Sequence, residues 1–130
     1  MLTKTRYWPL LALLMLVFWG CQVPTKTTID GQQVWIDQRL PVNGKFTITK
    51  DDNPTTGYQW QFDYDKEYLE LVGKEYRSHQ QPGDKRVGVG GTSKFTFRAL
   101  KPGLTKIIMK YHRPWEKRPF PEETIHVLIY

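Results

Sequence analysis

The chain has 130 residues, a length that suits one domain better than two. Its formal net charge is +6, with 19 Lys and Arg against 13 Asp and Glu. The cationic residues are spread along the chain without a dense run, which argues against nucleic-acid binding, since that usually needs a concentrated basic stripe.

The first 21 residues differ in character from the rest. Lys4 and Arg6 precede an uncharged, mostly apolar run from Tyr7 to Trp19, and a glycine and Cys21 follow. A positive start, a short apolar region and a small residue before a break predict a secretory signal peptide over residues 1–21. The apolar run is shorter than the ~20 residues that a membrane-spanning helix needs.

Cys21 is the only cysteine, and its position after a glycine at the end of the apolar run resembles a bacterial lipobox. This resemblance implies acylation of Cys21 and an exported protein that is anchored to the membrane of the cell envelope. Gln22 is not the aspartate that commonly retains lipoproteins at the inner membrane. In a Gram-negative host, the protein is therefore expected at the outer membrane or on the periplasmic face. A plain signal peptide cleaved near Cys21 is the alternative.

Residues 22–28 are polar and are predicted to form a short tether, which leaves residues 29–130 as the folded domain. This domain has no cysteine, so it must rely on its apolar core and has neither a disulfide nor a thiol nucleophile.

From Val34 onwards, apolar and polar residues alternate with period two, as in strands that have one buried face. Seven runs have such apolar positions: Val34 and Ile36; Phe46 and Ile48; Tyr58, Trp60, Phe62 and Tyr64; Leu69 and Leu71; Phe95, Phe97 and Ala99; Ile107, Met109 and Tyr111; Ile125, Val127 and Ile129. Turn residues separate the runs, and no stretch suits a long amphipathic helix. The predicted fold is all-β, an immunoglobulin-like sandwich of about seven antiparallel strands.

Three connections between these runs have unusual residues. The first is Asn53-Pro54-Thr55-Thr56-Gly57-Tyr58. Pro54 fixes its own φ, Gly57 permits a backbone shape barred to other residues, and the two threonines can present hydroxyls at the tip. A tight turn with good turn chemistry is the plainer interpretation.

The second connection extends from His79 to Thr92 and contains Gly88-Val89-Gly90-Gly91. Its glycines allow close approach of the backbone to a partner. A phosphate-binding loop is excluded because the following residues alternate as a strand and do not begin a helix. A flexible connector is the alternative.

The third connection is Arg113-Pro114-Trp115-Glu116, which leads into Pro119-Phe120-Pro121. Proline stiffens the backbone ahead of a large aromatic, and the surrounding residues are charged or proline. Trp115 is therefore predicted to be at least partly exposed, as an interface anchor would be. The alternative is an indole folded back onto the core.

These connections follow the second, fourth and sixth runs. Exits from even-numbered antiparallel strands emerge on the same side, so the three connections should form one composite surface.

Together, these motifs resemble the chagasin family of cysteine protease inhibitors, whose pattern is Asn-Pro-Thr-Thr-Gly-aromatic, Gly-x-Gly-Gly and Arg-Pro-Trp in that order. The resemblance covers roughly residues 28–130. It implies an immunoglobulin-like sandwich that inhibits papain-like proteases tightly and reversibly, with no enzymatic activity and no cofactor. The motif residues implied to bind the protease are Asn53, Pro54, Thr55, Thr56, Gly57, Tyr58, Gly88, Val89, Gly90, Gly91, Arg113, Pro114 and Trp115.

The resemblance also implies individual roles. Thr55 and Thr56 would sit at the catalytic Cys–His pair, with the Thr56 hydroxyl contacting the histidine. The glycines of the second motif would let the backbone lie along the cleft. Arg113 and Trp115 would brace the far side, where the indole would stack on an aromatic of the protease.

The same sequence also bears on other functions. His79, His112 and His126 are scattered without metal-site spacing, so neither a catalytic group nor a metal site is predicted. An immunoglobulin-like adhesion or carbohydrate-binding module is the main alternative, since Trp115, Tyr58 and Phe120 could stack on sugars. A structural subunit of an envelope complex is another, and a monomer is the expected state.

Overall fold

A computed structural model of the chain describes residues 25–29 and 31–130. Nine strands occur in this part of the chain. They are β1 (Thr25–Ile29), β2 (Gln32–Ile36), β3 (Gln38–Leu40), β4 (Lys45–Asp52), β5 (Gln59–Tyr64), β6 (Leu69–Ser78), β7 (Gly91–Ala99), β8 (Gly103–His112) and β9 (Glu122–Ile129). A single 3-10 turn, Pro54–Thr56, joins β4 to β5.

The strands form two sheets that pack face to face. One sheet has the order β3-β9-β8-β5 and the other β4-β7-β6, while β1 and β2 form a separate antiparallel hairpin. The seven predicted runs correspond to β2 and to β4 through β9. The prediction of an all-β, immunoglobulin-like sandwich is therefore confirmed.

Two strands were not predicted from the sequence. β3 has only three residues, too few to show a period, and β1 is a polar segment that becomes a strand by pairing with β2. Residues 25–28 of the predicted tether thus belong to β1. Residues 22–24, the predicted signal peptide and Cys21 lie outside the described residues.

One pairing departs from the predicted antiparallel arrangement. β3 pairs with β9 in parallel, with Gln38 opposite Val127 and Leu40 opposite Ile129. The two strands come from opposite ends of the domain and are not joined by a hairpin, so no turn imposes an antiparallel direction.

The core lies between the two sheets and is built from the alternating positions. Phe95, Phe97 and Leu69 from the three-stranded sheet are fully buried, as are Ile107 and Met109 from the four-stranded sheet. The aromatic rings interlock across the sheets. For example, the Phe62 ring lies 4.5 Å from the Phe95 ring and 5.6 Å from the Phe97 ring, with edge-to-face geometry in both pairs.

Truncation of Phe95 should lower stability strongly, because it opens a cavity between the two sheets. Phe95→Ala is expected to lower the free energy of unfolding by about 3–5 kcal/mol, measured by urea denaturation. Val87→Ala is the control, because Val87 is 96% exposed and its truncation should change stability by no more than about 0.5 kcal/mol. Equal midpoints for the two variants would contradict this account of the core.

Candidate functional site

Three connections leave the same end of the sandwich. They are the first loop (residues 53–58) after β4, the second loop (residues 79–90) after β6 and the third loop (residues 113–121) after β8. We refer to them together as the three-loop surface. The structure places them side by side, in agreement with the strand count, because direct contacts join the first loop to each of the other two.

The first loop is a tightly bonded turn. The Thr56 N–H donates to the Asn53 carbonyl (3.1 Å), and the Gly57 N–H donates to the Pro54 carbonyl (3.1 Å). Gly57 ends the turn with φ +81°, a conformation that favours glycine. Both threonines are exposed at the tip. Their location therefore agrees with the predicted presentation of hydroxyl groups.

Each threonine hydroxyl already donates a hydrogen bond within the loop. Thr55 Oγ1 donates to Asn53 Oδ1 (2.6 Å), and Thr56 Oγ1 donates to the Asn53 carbonyl (2.7 Å). A hydroxyl has one proton and two acceptor lone pairs. With the proton engaged, each oxygen keeps acceptor capacity for a donor that approaches from solvent.

The second loop is joined to the first loop by a hydrogen bond that a backbone carbonyl of the second loop accepts. Asn53 Nδ2 donates to the Gly88 carbonyl (3.0 Å), and the His79 N–H donates to the Gly90 carbonyl (3.0 Å). Gly88 has φ +73°, so glycine is the residue that holds this carbonyl towards Asn53 without strain. These bonds hold part of a loop that composition alone would describe as flexible.

Gly91 differs from the other glycines of its motif. It is buried as the first residue of β7, paired with Asp52 of β4 and Ser78 of β6. A side chain there would collide with the Arg77 carbonyl and the Tyr76 ring. The need for glycine at this position therefore comes from sheet packing, whereas Gly88 and Gly90 belong to the loop itself.

The third loop contacts the first through Arg113 and Trp115. Arg113 Nε donates to the Thr56 carbonyl (3.0 Å), and its guanidinium lies 4.6 Å from the centre of the Tyr58 ring. The Trp115 indole lies against Gly57, where an added Cβ would be 2.5 Å from Cη2. The indole remains 68% exposed, in agreement with its predicted position at the surface.

Glu116 forms ion pairs with two arginines of the third loop, a role that the sequence does not predict. Its carboxylate accepts from Arg113 (3.3 Å) and from Arg118 (3.0 Å). Arg118 also donates to the Tyr58 hydroxyl (3.1 Å). The carboxylate thus orients both guanidinium groups against the first loop. An acidic residue within a basic loop is a signal for such a role, but its partners depend on the fold.

The sequence pattern also does not predict the polar network that lies beneath the first loop. Asp52 is only 8% exposed, and its carboxylate accepts from Ser93 Oγ (2.6 Å) and from the Tyr111 hydroxyl (3.3 Å). The Tyr111 oxygen in turn accepts from the Asn53 N–H (2.9 Å). Burial, opposed by that N–H and reinforced by the Asp52 carboxylate, raises the pKa of Tyr111 above its ordinary value, so the phenol stays neutral.

The aromatic residues other than Trp115 do not form an open platform. Tyr58 is half-buried, with its ring stacked 5.2 Å from Tyr111 and covered by the Arg113 guanidinium. Phe120 is half-buried against the His112 ring at 4.6 Å. A sugar could therefore stack freely on only one of the three residues proposed for it, which disfavours a carbohydrate-binding module.

The described residues include no group of three or more His, Cys, Asp and Glu side chains arranged to hold a metal ion. Within the same residues, the structure has no helix of sufficient length and apolar character to span a membrane. The three histidines have separate local partners: His79 bonds Thr92, His112 bonds the Arg113 carbonyl, and His126 lies 3.6 Å from Asp37.

These features define an immunoglobulin-like sandwich with three connections joined side by side at one end. The model of the chagasin family of peptidase inhibitors (I42) matches residues 39–129. Amoebiasin-2 of Entamoeba histolytica is 33% identical over 92 residues, which cover 69% of this chain and 74% of that protein. The chain belongs to the chagasin family, and it is therefore a protease inhibitor and not an enzyme.

Solved structures agree with this assignment. The crystal structure of a cysteine protease inhibitor from Entamoeba histolytica has a TM-score of 0.61 and 29% identity, covering 72% of this chain and 88% of that one. Leishmania mexicana ICP has a TM-score of 0.53 and 26% identity, covering 73% and 90% of the respective chains. The family match begins at residue 39, so β1 and β2 lie outside it.

Removing the Tyr111 hydroxyl should loosen the base of the first loop. Tyr111→Phe leaves the Asn53 N–H without its acceptor and is expected to cost about 1–3 kcal/mol of stability, measured by urea denaturation. Amide hydrogen exchange at Asn53 should accelerate in the variant. Tyr130→Phe is the matched control, since Tyr130 is 70% exposed. Unchanged exchange at Asn53 would show that Tyr111 does not hold the loop.

Proposed function

We propose that this protein inhibits papain-like cysteine proteases tightly and reversibly by filling their active-site cleft with the three-loop surface. The observation that carries the proposal is the set of direct contacts that joins the Thr-Thr tip, the glycine motif and Trp115 into one surface. The Entamoeba histolytica neighbour is a cysteine protease inhibitor, which supports the target class.

The first loop is suited to the catalytic pair of such a protease. A papain-like enzyme attacks with a thiolate that is paired to an imidazolium. Thr56 Oγ1 donates its proton to the Asn53 carbonyl, so towards a partner it acts as an acceptor. An imidazolium N–H is a donor of matching polarity. Thr56 would thus bind the catalytic histidine, and Thr55 beside it would lie near the thiolate.

Inhibition of this kind requires no chemical step. The Asn53–Tyr58 segment is a turn with internal hydrogen bonds, and it would enter the cleft with no extended peptide bond presented to the thiolate. Because the turn is bonded before binding, less conformational entropy is lost on docking and more contact energy is retained as affinity. Pro54 and Pro114 contribute to the same stiffness.

The other loops would bind on either side of the catalytic pair. Gly88, Val89 and Gly90 would align their backbone along one wall of the cleft, while Gly91 supports them from within β7. On the opposite side, Trp115 would supply the large aromatic contact that typically dominates an interface. Arg113 would hold the first and third loops together beneath it.

We further propose that the protein is exported and held at the cell envelope by a lipid on Cys21. The support is the charge and apolar pattern of residues 1–21, followed by a cysteine that has no other cysteine to pair with. One acyl chain alone binds membranes weakly, so stable anchoring would require a second signal, such as a further chain on the modified residue.

Inhibition should be strong and should depend on the exposed indole. The full chain, solubilised in non-ionic detergent, is expected to inhibit papain competitively with a nanomolar or lower inhibition constant. Trp115→Ala should weaken inhibition by about 2 kcal/mol or more, roughly 30-fold, in a steady-state titration.

Trp35→Ala is the matched control for this titration. Trp35 is 51% exposed on β2, outside the three loops, and its loss should leave the inhibition constant unchanged. No loss of papain activity at micromolar inhibitor would refute the proposed target class. An equal effect of both tryptophan substitutions would refute the assigned surface.

Anchoring has its own test. In bacterial cells that express the full chain, Cys21→Ser should abolish lipid modification and move the protein from the membrane fraction to the soluble fraction. Mass spectrometry of the mature N-terminus measures the modification directly. A wild-type protein that begins at another residue without a lipid would overturn this assignment, while leaving the inhibitory proposal untouched.

A further inference from the structure

Most of the net positive charge of the domain lies in two loops of the three-loop surface, although cationic residues occur along the whole chain. Beyond residue 21 the chain has 17 cationic and 13 anionic side chains. Within residues 79–90 and 113–121, the cationic side chains are Lys85, Arg86, Arg113, Lys117 and Arg118, and the anionic ones are Asp84 and Glu116. The first loop has no charge, so these two loops contribute +3 of a net +4, and the rest of the domain is close to neutral.

The two carboxylates in these loops are largely covered, whereas Arg86 and Arg118, which pair with them, are mostly exposed. Asp84 has 11% of its side chain exposed, against 72% for its partner Arg86. Glu116 has 21% exposed, against 63% for Arg118. Hydrogen bonds from Arg86 lower the pKa of Asp84, so the carboxylate remains charged and keeps its arginine in place. An approaching partner therefore meets the cations first.

Lysines add charge on both sides of the first loop. Lys85 in the second loop and Lys117 in the third are exposed, and neither forms an ion pair with another described residue. At the strand ends nearby, exposed Asp51 and exposed Arg77 offset each other, and Asp52 is buried. Glu122 and Glu123, which begin β9 after the third loop, are paired with Lys110 and Lys50 and are offset by them. Cations therefore occur in both of the loops that contact the uncharged first loop.

We infer that the preferred target is a papain-like protease whose cleft has an acidic rim on both sides. This inference rests on the proposed function and specifies the partner of the same surface. Charges around a neutral contact region act mainly on the encounter rate, because opposite potentials steer two proteins together before contact. Exposed rim charges add little to the affinity of the formed complex at physiological salt.

The inference is tested by association rates at several ionic strengths. Stopped-flow fluorescence would measure the full chain, in non-ionic detergent, against two papain-like proteases, one with an acidic and one with a basic cleft rim. The test variant is Lys85→Glu with Lys117→Glu. The matched control is Lys45→Glu with Lys66→Glu, which reverses two exposed lysines outside the three loops.

With the acidic protease, the association rate of the wild type should fall about tenfold or more between 20 and 500 mM salt. The Lys85/Lys117 variant should lose most of this salt dependence, and the Lys45/Lys66 control should retain it. With the basic protease, the wild-type rate should stay flat or rise with salt. At high salt, wild type and test variant should converge to within a few-fold, since the neutral contact region is unchanged.

Two results would overturn the inference while leaving the proposed function intact. One is strong inhibition of both proteases with association rates independent of salt and of the lysine reversals. The other is an effect of the reversals on binding to phosphatidylserine–phosphatidylcholine vesicles but none on protease association, which would assign the cations to lipid headgroups. Absence of inhibition at micromolar concentration would remove the proposed function and this inference together.

Discussion

The geometry of the three-loop surface depends on Asn53, because all four of its backbone and side-chain polar groups form hydrogen bonds. Its N–H donates to the Tyr111 hydroxyl, and its carbonyl accepts from the N–H and hydroxyl of Thr56. Its side-chain oxygen accepts from Thr55, and its side-chain nitrogen donates to the Gly88 carbonyl. Asn53 therefore determines the conformation of the Thr-Thr tip and its position relative to the core and to the second loop.

Acidic residues support this arrangement from within. Asp52 binds Ser93 and Tyr111 beneath the first loop, Asp84 binds Arg86, and Glu116 binds two arginines of the third loop. In each case the carboxylate is largely shielded and accepts charge-assisted or hydroxyl hydrogen bonds. The carboxylates thus order the loops from inside, and the groups left at the surface are cations, hydroxyls, backbone and an indole.

Glycine has two distinct uses at this surface. Gly57 and Gly88 occupy positive-φ positions, and at Gly57 the missing side chain also leaves room for the Trp115 indole. Gly91 is a packing residue inside the sheet. The exposed indole consequently rests on backbone, which limits its motion without burying it. Such an aromatic can bind a partner with a small entropic cost.

The sequence alone determined the all-β class and the approximate positions of seven strands, because period-two alternation is a local property that burial of one face imposes. It also predicted the three loops, their common end and the exposure of Trp115, because strand count and the polarity of neighbouring residues suffice for these features. The membrane anchor on Cys21 stays a prediction, since it falls outside the described residues.

Only the tertiary structure decided which polar groups meet. Tyr111 alternates with Ile107 and Met109 like any core residue, and nothing local indicates that its hydroxyl accepts from Asn53, 58 positions earlier. The same holds for Asp52 with Ser93, and for Arg113 with the Thr56 carbonyl. These partners are 41 to 58 positions apart. Sheet register and the packing of one sheet on the other bring them together, and both depend on residues that are far apart in the sequence.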